Sequence, residues 1–249
     1  MKKIILTFLI LSTCIKINAQ TETIEDNGSW LTFTSKIKAS EKFYIGNIIQ
    51  QRRVHFLNKT QAYLFSPSIN YKLTKNLSIG AGYLYYKSFP NGALHSSIKK
   101  EENRFLQNVL LTSKVGDVKI SNRLQFEERV IDLINTNVTP NVIDGDKYVN
   151  RIRYRIQATT NLFKLKKDTY ILGKLSNEIR IRFAGGGISE PDFDQNNFEA
   201  LLGYKLLPNS TFWIGYGRYY YRKNSTLYVS NNILHVDLSF NFDLTKKKK

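Results

Sequence analysis

The sequence is poor in cysteine, methionine, proline and histidine, and these shortages exclude several classes of site. Of 249 residues, one is Cys, one is Met, five are Pro and three are His. A single Cys cannot form a disulfide framework within the chain, and the His residues lack the spacing of a zinc site. Asp144-Gly145-Asp146 is too short for a calcium loop, and Gly185 to Gly187 open no helix that could cradle a phosphate. We therefore predict no metal and no cofactor.

Long apolar runs are also lacking. After the first twenty residues, no window holds the eighteen or so apolar residues that a membrane-spanning helix needs. Aromatic residues are plentiful instead, with 15 Tyr and 15 Phe, and this composition favours strands over helices. If the chain crosses a membrane, it must do so with strands.

The first twenty residues have the organisation of a secretory signal peptide. A basic start at residues 1–3 is followed by an apolar run at 4–11 and by the small residue Ala19. This pattern predicts a signal peptide at 1–19 that is cleaved after Ala19. The alternative is lipidation of Cys14 within Leu-Ser-Thr-Cys. Cleavage after Ala19 would remove Cys14 and leave the mature chain without a thiol.

The chain carries an excess of basic residues. Its formal charge is +17, and loss of three lysines with residues 1–20 leaves 17 − 3 = +14. Such a charge favours nucleic acid, an anionic membrane surface or anionic solutes as partners. Because the signal peptide argues against nucleic acid, we expect outer-membrane lipids and small anionic solutes instead.

Alternation of apolar and polar residues with period two runs through most of the chain. In the last segment Leu234, Val236 and Leu238 form one face, while His235 and Asp237 form the other. Comparable segments lie at 63–73, 77–85, 151–158 and 212–217. The repeated pattern predicts an all-β fold, an antiparallel transmembrane β-barrel in the outer membrane of a Gram-negative bacterium. A soluble β-sandwich is the alternative, but its strands are usually shorter.

The predicted boundaries place a short N-terminal segment at 20–29, the barrel at 30–243 and a basic tail at 244–249 after the signal peptide. We count eleven segments, of which the first is Trp30 to Ala39. Because bacterial single-chain barrels normally have an even number of strands, we expect a barrel of 10–12 strands with ten or twelve favoured.

Short turns alternate with longer connections, which predicts short turns and both chain ends on the periplasmic side. The loop Asp132 to Lys147 on the other side is a candidate binding surface for a protein partner. The aromatic clusters Tyr83 to Tyr86 and Tyr219 to Tyr221 are expected to form girdles at the membrane interfaces.

Charged residues with period two mark the inward face of several neighbouring strands. The predicted lumenal polar network consists of Glu102, Arg104, Arg123, Gln125, Glu127, Arg129, Arg151, Arg153, Arg155, Glu178, Arg180, Arg182, His235 and Asp237. Neighbouring strands lie about 5 Å apart, so these side chains can meet inside the barrel. Two interpretations remain open: an ion-pair lattice that stiffens a closed lumen, or a basic pathway or pocket for an anionic solute.

Several of these stretches resemble the bacterial outer-membrane barrels grouped as domain-of-unknown-function family 2490. The resemblance runs from about Trp30 to Phe242 and includes the stretches at 102–107, 123–129, 151–155, 177–178 and 193–196. Asn103 and Asn197 stand where family members often have His and Arg. The resemblance implies an outer-membrane barrel and no established activity.

A lipid-modifying enzyme of the lipase or deacylase type is the competing class of function. Such chemistry needs a nucleophile beside a base, which is usually His. His55 and His95 lie in predicted loops. His235, Asp237 and Ser239 share one strand face, but residues two apart on a strand are about 7 Å apart, too far for a direct bond. We therefore predict no catalytic residues and a pore, structural or interaction barrel.

Overall fold

The computed structural model describes residues 22–93, 95–166 and 169–245, which form a closed barrel of eleven strands. The predicted signal peptide at 1–19, with Cys14, and residues 246–249 of the basic tail lie outside the described residues. The strands are β1 (Glu22–Lys38), β2 (Phe43–Val54), β3 (Lys59–Lys72), β4 (Leu77–Ser88), β5 (Lys100–Val115), β6 (Val118–Asn135), β7 (Val142–Lys166), β8 (Thr169–Gly185), β9 (Asp192–Leu207), β10 (Ser210–Arg222) and β11 (Leu227–Asp243).

Consecutive strands pair antiparallel, whereas the pair that closes the barrel, β1 with β11, is parallel. The predicted all-β closed barrel is confirmed, but the preference for an even number of strands and for purely antiparallel pairing is wrong. Each hairpin reverses the direction of the chain, so the first and the eleventh strand of the described chain run in the same direction. Two such strands can close a ring only as a parallel pair.

The parallel closure places the two ends of the barrel chain at opposite mouths. Glu22 pairs with Leu227 and Lys38 pairs with Asp243. β1 therefore starts at the mouth that carries the longer connections, and the expectation that both ends lie on the short-turn side is wrong. β1 also begins at Glu22, ahead of the barrel start predicted at Trp30.

One predicted long loop is mostly a continuation of two strands. In the segment predicted as the loop Asp132 to Lys147, β6 and β7 remain paired as far as Asn135 and Val142, so only 136–141 connect them. The connection between β4 and β5 spans 89–99.

Three contacts hold the 89–99 loop in place. The amide of Ala93 donates to Asp26 Oδ2 at 2.8 Å, and Lys223 Nζ donates to the Ala93 carbonyl at 3.0 Å. Asn91 Nδ2 donates to the Thr60 carbonyl at 2.7 Å. These contacts tie Asn91 and Ala93 to β1, β3 and the connection after β10 at one mouth of the barrel.

The wall has an apolar outer face and a polar inner face, as period-two alternation requires. Large apolar side chains such as Ile69 (62% exposed), Leu175 (55%) and Leu202 (55%) point outward. Inward positions carry the charged residues described below. Among the described residues, no helix is long and apolar enough to cross a membrane.

The aromatic cluster at 219–221 is divided between the two faces. Tyr220 points outward and stacks on Tyr228 with ring centroids 5.0 Å apart. Tyr219 points into the lumen, is fully buried and lies 4.1 Å from the Trp30 ring. The prediction that the whole cluster forms an interfacial girdle is therefore wrong, because period two sends alternate tyrosines inward.

Candidate functional site: the polar interior of the barrel

The predicted network residues lie on the inward faces of β5, β6, β7, β8 and β11. Within the described residues, eight arginines share five carboxylates in a continuous lattice. The arginines are Arg104, Arg123, Arg129, Arg151, Arg153, Arg180, Arg182 and Arg222, and the carboxylates are Glu102, Glu127, Glu178, Asp192 and Asp194. Gln125 joins the lattice, whereas Arg155, His235 and Asp237 lie beside it and line a cavity.

Glu127 is the fully buried centre of the lattice. Its Oε2 lies 2.5 Å from Arg151 Nη2 and its Oε1 lies 2.6 Å from Arg153 Nη1. Arg104 approaches to 3.9 Å, and Gln125 Nε2 donates to Oε1 at 2.8 Å. A buried carboxylate is stable only when it is surrounded in this way, because desolvation strongly penalises an unpaired charge.

Asp192 and Asp194 complete the lattice and were not predicted as members. Asp194 lies 2.6 Å from Arg151, and Asp192 lies 2.7 Å from Arg182 and also contacts Arg222. The register between β8 and β9 shifts next to Arg180, so a simple inward–outward alternation does not extend to these residues. The sequence pattern therefore gave no signal for them.

Every described strand contributes a buried inward side chain. These are Trp30 in β1, Val54 in β2, Ala62 in β3, Leu84 in β4, Arg104 in β5, Glu127 in β6, Arg151 in β7, Glu178 in β8, Asn197 in β9, Tyr219 in β10 and Ile233 in β11. Side chains from the whole circumference are therefore largely shielded from solvent.

A cavity of about 380 Å³ adjoins the lattice. Its lining contains seven cationic side chains, Arg52, Arg104, Arg123, Arg153, Arg155, Lys174 and Arg180, and three carboxylates, Glu178, Glu199 and Asp237. With His235 counted as neutral, the lining therefore has a formal charge of 7 − 3 = +4. Arg104 and Arg153 pair with Glu102 and Glu127, which lie outside the lining, and the remaining positive charge favours anions.

Two of the cavity cations rest on aromatic rings. The Arg52 guanidinium lies 3.8 Å from the centre of the Trp30 ring, and Lys174 Nζ lies 3.9 Å from the centre of the Trp213 ring. Cation–π contacts of this kind orient the cation without neutralising its charge. None of these four residues was predicted as part of the polar network, because no local pattern pairs them.

His235 contacts residues on neighbouring strands. His235 Nε2 and Thr32 Oγ1 are 2.9 Å apart, and His235 Nδ1 lies 3.2 Å from Glu199 Oε1. Asp237 accepts a hydrogen bond from Thr34 Oγ1 at 3.0 Å. The three groups stand in the order carboxylate, imidazole, hydroxyl. Thr32 was missed because the β1–β11 register brings it to His235, and Glu199 was missed because it lies on β9.

Within the described residues, no group of three or more His, Cys, Asp or Glu side chains could hold a metal ion. In comparison with known proteins, the model of a family described as Protein of unknown function (DUF2490) matches residues 27–231. No curated protein and no solved structure matches the chain. The match runs from β1 into the start of β11 and so includes the whole lattice.

Proposed function

The chain belongs to the DUF2490 family of proteins of unknown function, and from its barrel we propose an integral protein of the bacterial outer membrane with a closed lumen. In this proposal the protein has a structural or interaction role and is not an open pore. Its surroundings are outer-membrane lipids.

The observation that carries the proposal is the reversed polarity of the barrel wall. Ile69, Leu175 and Leu202 belong to a set of large apolar side chains that point outward, while buried charges face inward. In water, exposed apolar surface of this extent would be unfavourable, since burial of apolar area contributes roughly 25 cal/mol per Å². In lipid the same surface is favourable, and closure of the ring pairs the backbone groups.

The closed lumen is supported by two features of the interior. The Arg–carboxylate lattice ties together β5 to β10, and the hydrophobic cluster of Trp30, Tyr219 and Ile233 packs on the opposite wall. Contacts of Ala93 with Asp26 and Lys223 hold the 89–99 loop against the mouth where the longer connections lie. A lattice of this kind stiffens the wall, because moving one strand would expose several buried charges.

Conductance in planar bilayers tests the proposal. The full chain, expressed in a Gram-negative host and purified from its outer membrane, should insert and give no steady current. The double variant Trp30→Ala, Tyr219→Ala enlarges the lumen and should conduct, which shows that the assay can detect an open barrel. Recovery of the protein outside the outer membrane would contradict the proposed location.

An anion-favouring pore is the outcome that would overturn the closed role. Steady anion-preferring currents from the unaltered protein would identify the Arg-lined interior as a pathway. Reversal of charge at Arg153 and Arg155 should then invert the ion preference.

The contact chain Glu199–His235–Thr32 supports a second candidate function, hydrolysis of a lipid ester. Thr32 would be the nucleophile, His235 the base and Glu199 the group that orients it. The Thr32 hydroxyl also accepts a hydrogen bond from Gln50 Nε2 at 2.9 Å, as expected of a structural hydroxyl. Loss of a lipase activity in His235→Gln would support this candidate, and no turnover by the unaltered protein would exclude it.

An interaction role would use the protruding tip of the β6–β7 hairpin. Leu133, Val138, Val142 and Ile143 are exposed there. Deletion of 133–143 should remove cross-links from this tip to a protein partner while insertion into the membrane continues. Unchanged cross-linking would place the partner elsewhere on the barrel.

A further inference from the structure

Arginines lie directly opposite one another on neighbouring strands at four places in the barrel. The four pairs are Arg104 with Arg129, Arg123 with Arg155, Arg151 with Arg182, and Arg153 with Arg180. Like charges directly across a strand pair are destabilising, so each pair needs an anionic group beside it.

In three of the four pairs a carboxylate of the protein lies beside both arginines. Glu102 Oε1 lies 2.7 Å from Arg104 Nε and 2.5 Å from Arg129 Nε. In the other two pairs, Glu178 Oε1 lies 2.6 Å from Arg153 and 2.8 Å from Arg180, and Asp194 lies 2.6 Å from Arg151 and 3.6 Å from Arg182. The recurring solution is therefore one carboxylate between two guanidinium groups.

The fourth pair, Arg123 and Arg155, departs from this pattern. Arg123 Nη2 lies 2.6 Å from Glu178 Oε2, but among the described residues no carboxylate lies within 4 Å of Arg155. Glu178 is directly opposite Arg155, yet its oxygens accept hydrogen bonds from Arg123, Arg153 and Arg180. The Nε atoms of Arg123 and Arg155 are buried, and no other atom of the described chain accepts a hydrogen bond from them.

The Arg123–Arg155 pair also faces the cavity of about 380 Å³. Lys174, Ser176 and Gln157 line the same cavity and provide a further cation, a hydroxyl and an amide. This volume lies within the range of small-molecule sites, about 300–1,000 Å³. Among the described residues, Arg155 therefore lacks a carboxylate partner, and the Arg123–Arg155 pair borders a cavity with room for a ligand.

We propose that Arg123 and Arg155 bind an oxyanion group of a small solute, a carboxylate or a phosphate, with Lys174 as a third cationic contact. The chemistry follows from the other three pairs, where a carboxylate performs this role. The guanidinium fork matches two oxygens of one carboxylate or phosphate, whereas a chloride ion offers a single acceptor. The inference requires a folded barrel and is independent of whether the lumen conducts.

Binding of inorganic phosphate to the purified full-chain protein tests this proposal. In zwitterionic detergent at constant ionic strength, calorimetry should detect phosphate binding, and phosphate should raise the thermal midpoint more than chloride does. Arg155→Gln should weaken phosphate binding about tenfold or more, because a charged hydrogen-bond donor is lost. Arg218→Gln removes the same charge from an exposed side chain and should leave the affinity unchanged.

A second variant tests the site without removing an arginine. Gln157→Glu places a carboxylate two residues from Arg155 on the same inward face, the spacing at which Glu102 bonds Arg104. The variant should weaken phosphate binding about tenfold or more. It should also raise the thermal midpoint in phosphate-free buffer, because the new carboxylate lies beside the arginine pair.

Three outcomes would overturn the proposal: no phosphate-specific binding by the unaltered protein, unchanged affinity in both variants, or competition from phosphatidylglycerol in the micelles. The last would assign the site to a lipid headgroup and not to a small solute. These results are separate from those on conductance. A barrel that conducts and binds phosphate would refute the closed role and support this site. A barrel that gives no current and binds no phosphate would support the closed role and refute this site.

Discussion

Replacement of Glu127 by glutamine should destabilise the barrel more than any conservative change on its outer face. The substitution keeps the shape of the side chain and removes its charge. Glu127 is fully buried and accepts hydrogen bonds from Arg151 Nε at 2.8 Å, Arg153 Nη1 at 2.6 Å and Gln125 Nε2 at 2.8 Å. The amide nitrogen of the glutamine, which cannot accept a hydrogen bond, would face N–H donors that now bond the carboxylate of Glu127.

The magnitude follows from these contacts. Two of the three hydrogen bonds join charged groups, and each such bond contributes about 1.5–3 kcal/mol. Arg151 keeps its contact with Asp194 and Arg153 keeps its contact with Glu178, so neither arginine loses all its neutralisation. We therefore expect a loss of about 3–5 kcal/mol in the free energy of unfolding, as is usual when one member of a buried ion pair is removed.

Reversible urea unfolding in lipid vesicles measures this loss. The matched control is Glu128→Gln, because Glu128 is the next residue and points outward. It accepts exposed hydrogen bonds from Tyr148 Oη at 3.0 Å and Gln107 Nε2 at 3.2 Å. The control should cost less than about 1 kcal/mol, as for other exposed polar contacts. Equal losses in the two variants would refute the reasoning, since they would show that the buried lattice contributes no more to stability than the outward-facing contacts of Glu128.

Three further predictions concern other parts of the wall. Ile214→Lys puts a charge on the outward face and should cost about 2–4 kcal/mol for folding into vesicles, whereas Ile214→Val should have little effect; equal folding of the two would argue against a lipid-facing wall. Gly203→Ala places a methyl group 2.5 Å from the Trp213 ring and should lower stability by about 1–3 kcal/mol, a loss that thermal unfolding would detect. Thr32→Val removes the hydroxyl that bonds His235 and should cost about 1–3 kcal/mol in urea unfolding, and unaltered stability would show that this contact is not formed.

The sequence predicted the fold because alternation is a local property of each strand. The inward faces of β5 to β8 follow from period two, and the structure places Glu102, Arg123, Arg151 and Glu178 in one lattice as a result. The parallel β1–β11 closure could not be predicted, because no local pattern shows which strands meet when a ring closes.

The details of the site depend on register and on side-chain direction. Glu199 reaches His235 from β9 across β10, and Thr32 reaches it from β1, so both contacts depend on strand register. Asp194 joins the lattice next to a shift in register. The isolation of Arg155 depends on how Glu178 distributes its two oxygens. Sequence spacing contains neither kind of information.

The parallel pair β1–β11 has a consequence for the order in which the molecule assembles. Every other neighbour in the ring is also a neighbour along the chain, so ten of the eleven pairings can form as local hairpins. The contact of Thr32 with His235 spans 203 residues, and contacts of such separation form slowly because a long loop must close first. β1 can therefore pair with β11 only after the last strand has formed. The lining residues contributed by these two strands come together only when the barrel is complete.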